Sequence, residues 1–205
     1  MILRLAANAA PQPWRNGGGV TRELLCLPAG AGDDWTLRIS VADIEADGPF
    51  SPFPGVTRWF AAVSGAGVRL GFRNAASGLR EVRPGDAPLR FDGADAPDCT
   101  LLDGATRDLN VMVRSRHADA LVTAAGFLDR AEPGHGPGFG FFALQALNLH
   151  GAGAEPVAMP ALSLAWCEPP FDASRAWSVS PPQDGGAARE HTVPGYWIRL
   201  LPPTR

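Results

Sequence analysis

Apolar and polar residues alternate in short runs along the whole chain, with glycine or proline between the runs. Trp35, Leu37, Ile39 and Val41 fall on one face, and Thr36, Arg38 and Ser40 on the other. That is the period-two signature of a half-buried strand. Arg58–Ser64 and Val68–Phe72 flank Gly65-Ala66-Gly67 and read as a hairpin. Thr21–Leu25, Pro88–Phe91, Asp98–Leu102, Leu109–Arg114, Phe141–Leu149, Ala161–Cys167 and Tyr196–Leu201 read as further strands. Helical signals are few. Ser115–Val122 reads as a short helix or turn where a link between two halves is expected, and Glu132–Gly140, with four Gly and two Pro, as a loop. The pattern predicts an all-β chain with few short helices.

With 205 residues and 45% hydrophobic content, the chain can bury a core as one domain or as two small ones. Its 24 Gly and 20 Pro punctuate the whole length rather than forming one linker. The net charge of -3 carries no long block of either sign, which disfavours nucleic acid as a partner. All 18 basic residues are Arg, so lysine Schiff-base chemistry and lysine-dependent phosphate loops are excluded. Cys26, Cys99 and Cys167 are too far apart for a zinc motif and odd in number, so buried free thiols are expected. The first residues lack the pattern of an export signal, and no apolar stretch is long enough for a membrane-spanning helix. A cytoplasmic location without membrane association is the expectation. A faint repeat at an offset of 86 residues sets Gly65-Ala66-Gly67 against Gly151-Ala152-Gly153, Asp86-Ala87 against Asp172-Ala173, and Val111–Arg114 against Trp197–Leu200.

Residues 48–100 resemble the paired motifs of cupin barrels in their glycine spacing. The four metal-ligand positions then fall on Pro54, Val56, Phe60 and Ala96, none of which carries a donor atom. His117, His135, His150 and His191 are isolated from one another in sequence. No metal and no cofactor are expected.

Three stretches resemble the HutD/Ves family. They are Pro13–Glu23 (PWRNGGGVTRE), then Trp35–Val41 with Asp47–Arg58, and Asp108–Arg114 (DLNVMVR). The similarity is ordered over about residues 12–114 and diffuse beyond. It implies a bicupin: two tandem double-stranded β-helix barrels, here expected at 1–116 and 117–205. It also implies a protein that binds an acidic intermediate of histidine degradation, such as formylglutamate, and moderates histidine utilisation. Ves-type members imply instead a stress-response role of undefined activity.

The motif residues fit an anionic ligand. Asn16, Gly17 and Gly18 form a loop whose backbone N–H groups either cradle an anion or make a plain turn. Arg22, Arg38, Arg58 and Arg114 lie on or beside strands, where arginine grips carboxylates in bidentate fashion or covers a solvated face. Arg38 and Ser40 share one parity, as do Asp108, Asn110, Met112 and Arg114. Two such polar rows line either a wet barrel mouth or two outward faces, and parity does not choose between them. The candidate ligand-binding set is Asn16, Gly17, Gly18, Thr21, Arg22, Arg38, Ser40, Ser51, Arg58 and Asn110, with no catalytic residue assigned. Trp14, Trp59, Phe50 and Phe53 read as core or pocket wall, and Pro49, Pro52 and Pro54 stiffen the loop between Gly48 and Gly55. The favoured reading is a binding protein for a small acidic metabolite, with a homodimer as the assembly considered. The alternatives are a metal-free isomerase- or epimerase-like enzyme using Asp108 and Glu23, and a protein-interaction module.

Overall fold

Alternation sets the fold. In the computed structural model, which describes residues 1–74, 78–127, 129–170, 172, 175–182 and 193–203, nearly every alternating run is a strand. Among the described residues the one helical element is a single 3-10 turn, Ala6–Asn8, and no helix is long and apolar enough to cross a membrane. The chain forms two compact units, Ala9–Asp119 with the final residues from Pro203, and Met1–Asn8 with Ala120–Pro202.

The first unit pairs a six-stranded sheet with a four-stranded one. In the larger, the strands run Pro11–Pro13, Gly19–Leu27, Leu37–Ile44, Thr106–Arg114, Val56–Ser64 and Leu89–Asp92 in spatial order. In the smaller they run Gly48–Pro49, Asp98–Leu101, Val68–Gly71 and Leu79–Val82. Ile44, Phe50, Phe60, Ala62, Val68, Leu70, Val82, Phe91 and Cys99 pack into one apolar core. Two of the positions that the glycine spacing sets against cupin metal ligands lie here: Phe60 is fully buried in that core and Ala96 packs against it. Val56 is buried beside Trp35 and Met112, and Pro54 is exposed.

The second unit repeats the plan with different edges. Ile2–Leu5, Ser163–Cys167, Gly138–Ala143, Gly195–Leu201 and Asp119–Ala125 form a five-stranded sheet. Arg130–Ala131, Trp177–Ser180, Leu147–His150 and Val157–Met159 form a four-stranded one. Its core is more aromatic, with Phe139, Phe141, Trp177 and Trp197 in contact.

Two local expectations change. Arg58–Ser64 and Val68–Phe72 do not form a hairpin: the first strand pairs with Thr106–Arg114 and Leu89–Asp92, the second with Asp98–Leu101 and Leu79–Val82. The reason is at the turn. Gly65 has φ +92°, and a Cβ there would lie 2.4 Å from the Ala105 carbonyl oxygen, so the chain bends sharply into the other sheet. Gly151, its counterpart at the 86-residue offset, has φ +90° with the Ala176 carbonyl oxygen at the same 2.4 Å. Phe141–Leu149 is likewise two strands in two sheets. Ser115–His117 takes the turn alternative expected there and leads directly into the strand Asp119–Ala125. Asp172 is described, whereas Ala173 and His191 lie outside the described residues. Of the three thiols, which are all free, only Cys99 is buried, and Cys26 and Cys167 are half-buried.

The N-terminus also departs from a division at 116/117. Ile2–Leu5 is antiparallel to Ser163–Cys167, with Ile2 opposite Trp166 and Leu5 opposite Ser163. The first eight residues therefore fold with the second unit. Removing residues 1–5 leaves Ser163–Cys167 as an unpaired edge. Hydrogen exchange is expected to accelerate at Ser163–Cys167 in that truncation while Leu37–Ile44 keeps its protection.

Candidate functional site

Strand parity in the six-stranded sheet aims one polar row inward. Arg38 and Ser40 come from Leu37–Ile44, Asp108, Asn110 and Met112 from Thr106–Arg114, and Arg58 from Val56–Ser64. Antiparallel register places Ser40 opposite Asn110, Arg38 opposite Met112, and Arg58 opposite Met112 from the other side. These residues line a cleft of about 740 Å³, a size suited to a small metabolite. The N-terminal segment Gln12–Asn16 and the loop Pro49–Phe53 complete its wall.

Arg58 is the centre of the floor. It is only 6% exposed, and its guanidinium lies 5.1 Å from the ring centre of Phe50, 5.2 Å from Phe91 and 5.8 Å from Phe53. Its Nη2 donates to Asn110 Oδ1 at 2.7 Å, and Asn110 Nδ2 donates to Asp108 Oδ1 at 2.7 Å. Two polar atoms are left over: Arg58 Nε and Asp108 Oδ2 are buried without a hydrogen-bond partner.

Burial shifts both charged ends of this chain. Removal from water pushes the Asp108 carboxyl up to about 7, against the opposing pull of Arg58 and the Asn110 hydrogen bond. Burial lowers Arg58 to about 10, with the Asp108 charge working the other way. At neutral pH the guanidinium stays charged while the carboxylate beneath it is partly neutralised. The floor of the cleft therefore holds a charged guanidinium with one N–H unpartnered, beside a carboxyl that burial makes harder to ionise.

Arg38, on the cleft wall, is held by Glu23, whose Oε2 accepts from Nε at 3.0 Å, and its guanidinium lies 5.5 Å from the Trp35 ring centre. Of the other residues expected at a site, Asn16, Thr21, Ser40, Ser51 and Asn110 also line the cleft. Thr21 accepts a 2.7 Å hydrogen bond from the Trp14 indole.

Four expected residues are placed elsewhere. Gly17 N donates to Trp14 O and Gly18 N to Asn16 Oδ1, so both amides are engaged inside the loop. The glycines serve geometry instead. Gly17 has φ +71°, and a Cβ on Gly19 would lie 2.3 Å from Asp43 O and 3.2 Å from the Trp14 ring. Arg22 has the opposite parity to Thr21 and pairs with Asp43 at 2.6 Å, with Arg107 on the other oxygen at 2.5 Å. These two cations hold the Asp43 carboxyl below its usual range against the opposing, largest effect of burial. Arg114, in the inward parity row, lies beyond the cleft: it stacks 4.9 Å from the Trp35 ring centre and donates to Asp33 O.

Gln12 is a lining residue that the sequence reading missed. It sits in the middle of Pro11–Pro13, directly opposite Thr21, and that long-range pairing is what brings it to the cleft. Among the described residues, no three His, Cys, Asp or Glu side chains gather as a metal site.

The raised Asp108 pKa fixes a sign. The folded state holds a proton that the unfolded chain, at about 3.9, has already lost. That contribution to stability is complete below about pH 4 and is lost as pH rises through about 7. Denaturant titrations across this window are expected to show a downward slope with rising pH in the wild type, relative to Asp108→Asn.

The HutD family model matches residues 6–179. Over 100 residues, or 49% of this chain and 51% of the relative, the chain is 40% identical to an uncharacterized 21.2 kDa protein in the hutC 3' region of Pseudomonas putida. Over 113 residues, or 55% of this chain and 57% of the relative, it is 38% identical to protein Ves of Citrobacter koseri. The chain spans about half the length of these curated relatives. Among solved structures, HutD from Pseudomonas fluorescens superposes with a TM-score of 0.77 at 22% identity, covering 99% of each chain. A cupin 2 conserved barrel domain protein from Leptotrichia buccalis superposes with a TM-score of 0.53 at 11% identity, over 97% of this chain and 99% of that one. The all-β fold is thus that of cupin proteins, and the chain belongs to the HutD family.

Proposed function

We propose that the cleft of the first unit binds a small acidic metabolite by its carboxylate, without a metal. The observation that carries this reading is Arg58: a buried guanidinium, flanked by three phenyl rings, whose Nε has no partner. A carboxylate reaching the floor would satisfy that donor and neutralise the charge, and Arg38 on the wall offers a second cation. Ser40, Ser51, Thr21 and Asn16 supply neutral polar groups for the remainder of the ligand. The family and the hutC-region relative favour an intermediate of histidine degradation, with formylglutamate first. The corresponding role is to moderate histidine utilisation by sensing that intermediate, in the cytoplasm.

One observation favours a second reading. Asp108, with its pKa near 7 and one oxygen unpartnered, has the properties of an acid–base group. Asp108 lines the cleft but is fully buried, with Oδ1 engaged by Asn110, which ranks binding above catalysis. Glu23, the other candidate, is committed to Arg38. A product formed from the same metabolites and lost in Asp108→Asn would reverse the ranking.

Calorimetry with formylglutamate, formiminoglutamate and urocanate tests the binding reading. At least one is expected to bind. Arg58→Lys keeps the charge but loses the planar fork, and is expected to cost about 2–4 kcal/mol of affinity. Arg38→Ala, at a partly exposed site, is expected to cost about 1 kcal/mol. Heat from none of the three acids would remove the pathway assignment.

A further inference from the structure

The second unit has an opening of its own, of about 490 Å³. Its lining includes four charged side chains, Asp129, Arg130, Glu132 and Arg199, together with Trp197. We propose that this opening is a second ligand site, which takes a small zwitterion of the amino-acid class. The ligand's carboxylate would meet Trp197 and Arg199, and its ammonium Asp129 and Glu132.

The donors come from one strand. Trp197 and Arg199 are two apart on Gly195–Leu201 and so share a face. Trp197 is 6% exposed, and its indole Nε1 is buried with no hydrogen-bond partner. Arg199 Nε is also buried and unpartnered. The plane of this guanidinium is fixed twice over. Nη2 donates to the Glu132 carbonyl oxygen, and the group lies 5.6 Å from the ring centre of Phe139. Phe139 in turn stacks on Trp197 at 5.7 Å with an interplanar angle of 8°. Two residues that line one opening thus each keep an N–H donor without an acceptor, and a ligand carrying a paired acceptor such as a carboxylate would match them.

The charges around the opening choose among carboxylates. Asp129 and Glu132 balance Arg130 and Arg199, so the lining sums to zero and suits a ligand with no net charge. Asp129 uses Oδ2 to accept from Gly126 N at 2.7 Å, which fixes its carboxylate beside the opening. A dianion would meet two carboxylates, whereas an amino acid presents its ammonium to them. This site is therefore chemically unlike the cleft around Arg58, which centres on one buried guanidinium, and its test is independent of that one.

The experiment labels the tryptophan indoles of the full chain with nitrogen-15 and follows their resonances on adding each L-amino acid in turn. Acetate and methylamine serve as single-charge probes. Trp197→Phe identifies the resonance of interest. That resonance is expected to shift saturably with at least one amino acid, with about tenfold or weaker response to acetate and none to methylamine. Glu132→Gln, a change at an exposed side chain, is expected to weaken the amino-acid response about tenfold while the other indole resonances stay in place. No shift with any amino acid overturns the proposal. So does an equal response to acetate, or a response unchanged in Glu132→Gln.

Discussion

A guanidinium taken out of water loses solvation that a protein must replace, and the first unit is organised around that demand. Arg58 cannot shed its charge at neutral pH, since even after burial its pKa stays near 10. Its replacements for water are one amide oxygen, from Asn110, and the faces of Phe50, Phe53 and Phe91. Ring faces attract a desolvated cation by on the order of 1–2 kcal/mol each, and they do so without satisfying any N–H group. The environment therefore holds the charge in place while leaving a donor free. A carboxylate is the natural complement.

The rest of the unit keeps this arrangement rigid. Asn110 is oriented from below by Asp108, and Phe50 is braced by Phe60 at 5.8 Å and by Trp14 at 6.4 Å. Trp14 is itself pinned by Thr21 and by the close approach that Gly19 permits. The glycine run thus acts on the cleft indirectly, by seating an indole, rather than by presenting amides to a ligand. A cleft held this way loses little entropy when a ligand arrives, which is how a small contact area becomes useful affinity. Phe60, which the glycine spacing sets against a metal-ligand position of cupin motifs, supports Phe50.

Local pattern made much of this legible. Parity grouped Arg38 with Ser40, and Asp108 with Asn110 and Met112, and the structure brings both rows to one cleft. Parity could not say whether those rows faced inward. That is decided by the pairing of Thr106–Arg114 between Leu37–Ile44 and Val56–Ser64, a long-range choice. Arg22 shows the same limit from the other side, because its neighbour Thr21 faces the cleft while Arg22 finds Asp43. The Gly65 turn looked like a hairpin because flanking alternation is identical for a hairpin and for a chain crossing between sheets. Only the close approach of Ala105 separates them. The partner of Ile2–Leu5 lies about 160 residues away in sequence, and nothing local in either strand specifies the other.

The guanidinium of Arg58 can be watched directly by following its Nε–H resonance in nitrogen-15 NMR while formylglutamate is added. Before addition, the buried and unpartnered Nε–H should stand apart from exposed arginines. On saturation it should move downfield and become protected from exchange, as a donor gaining a charged acceptor does. A ligand that binds with measurable heat while this resonance stays unchanged would contradict the role given to Arg58.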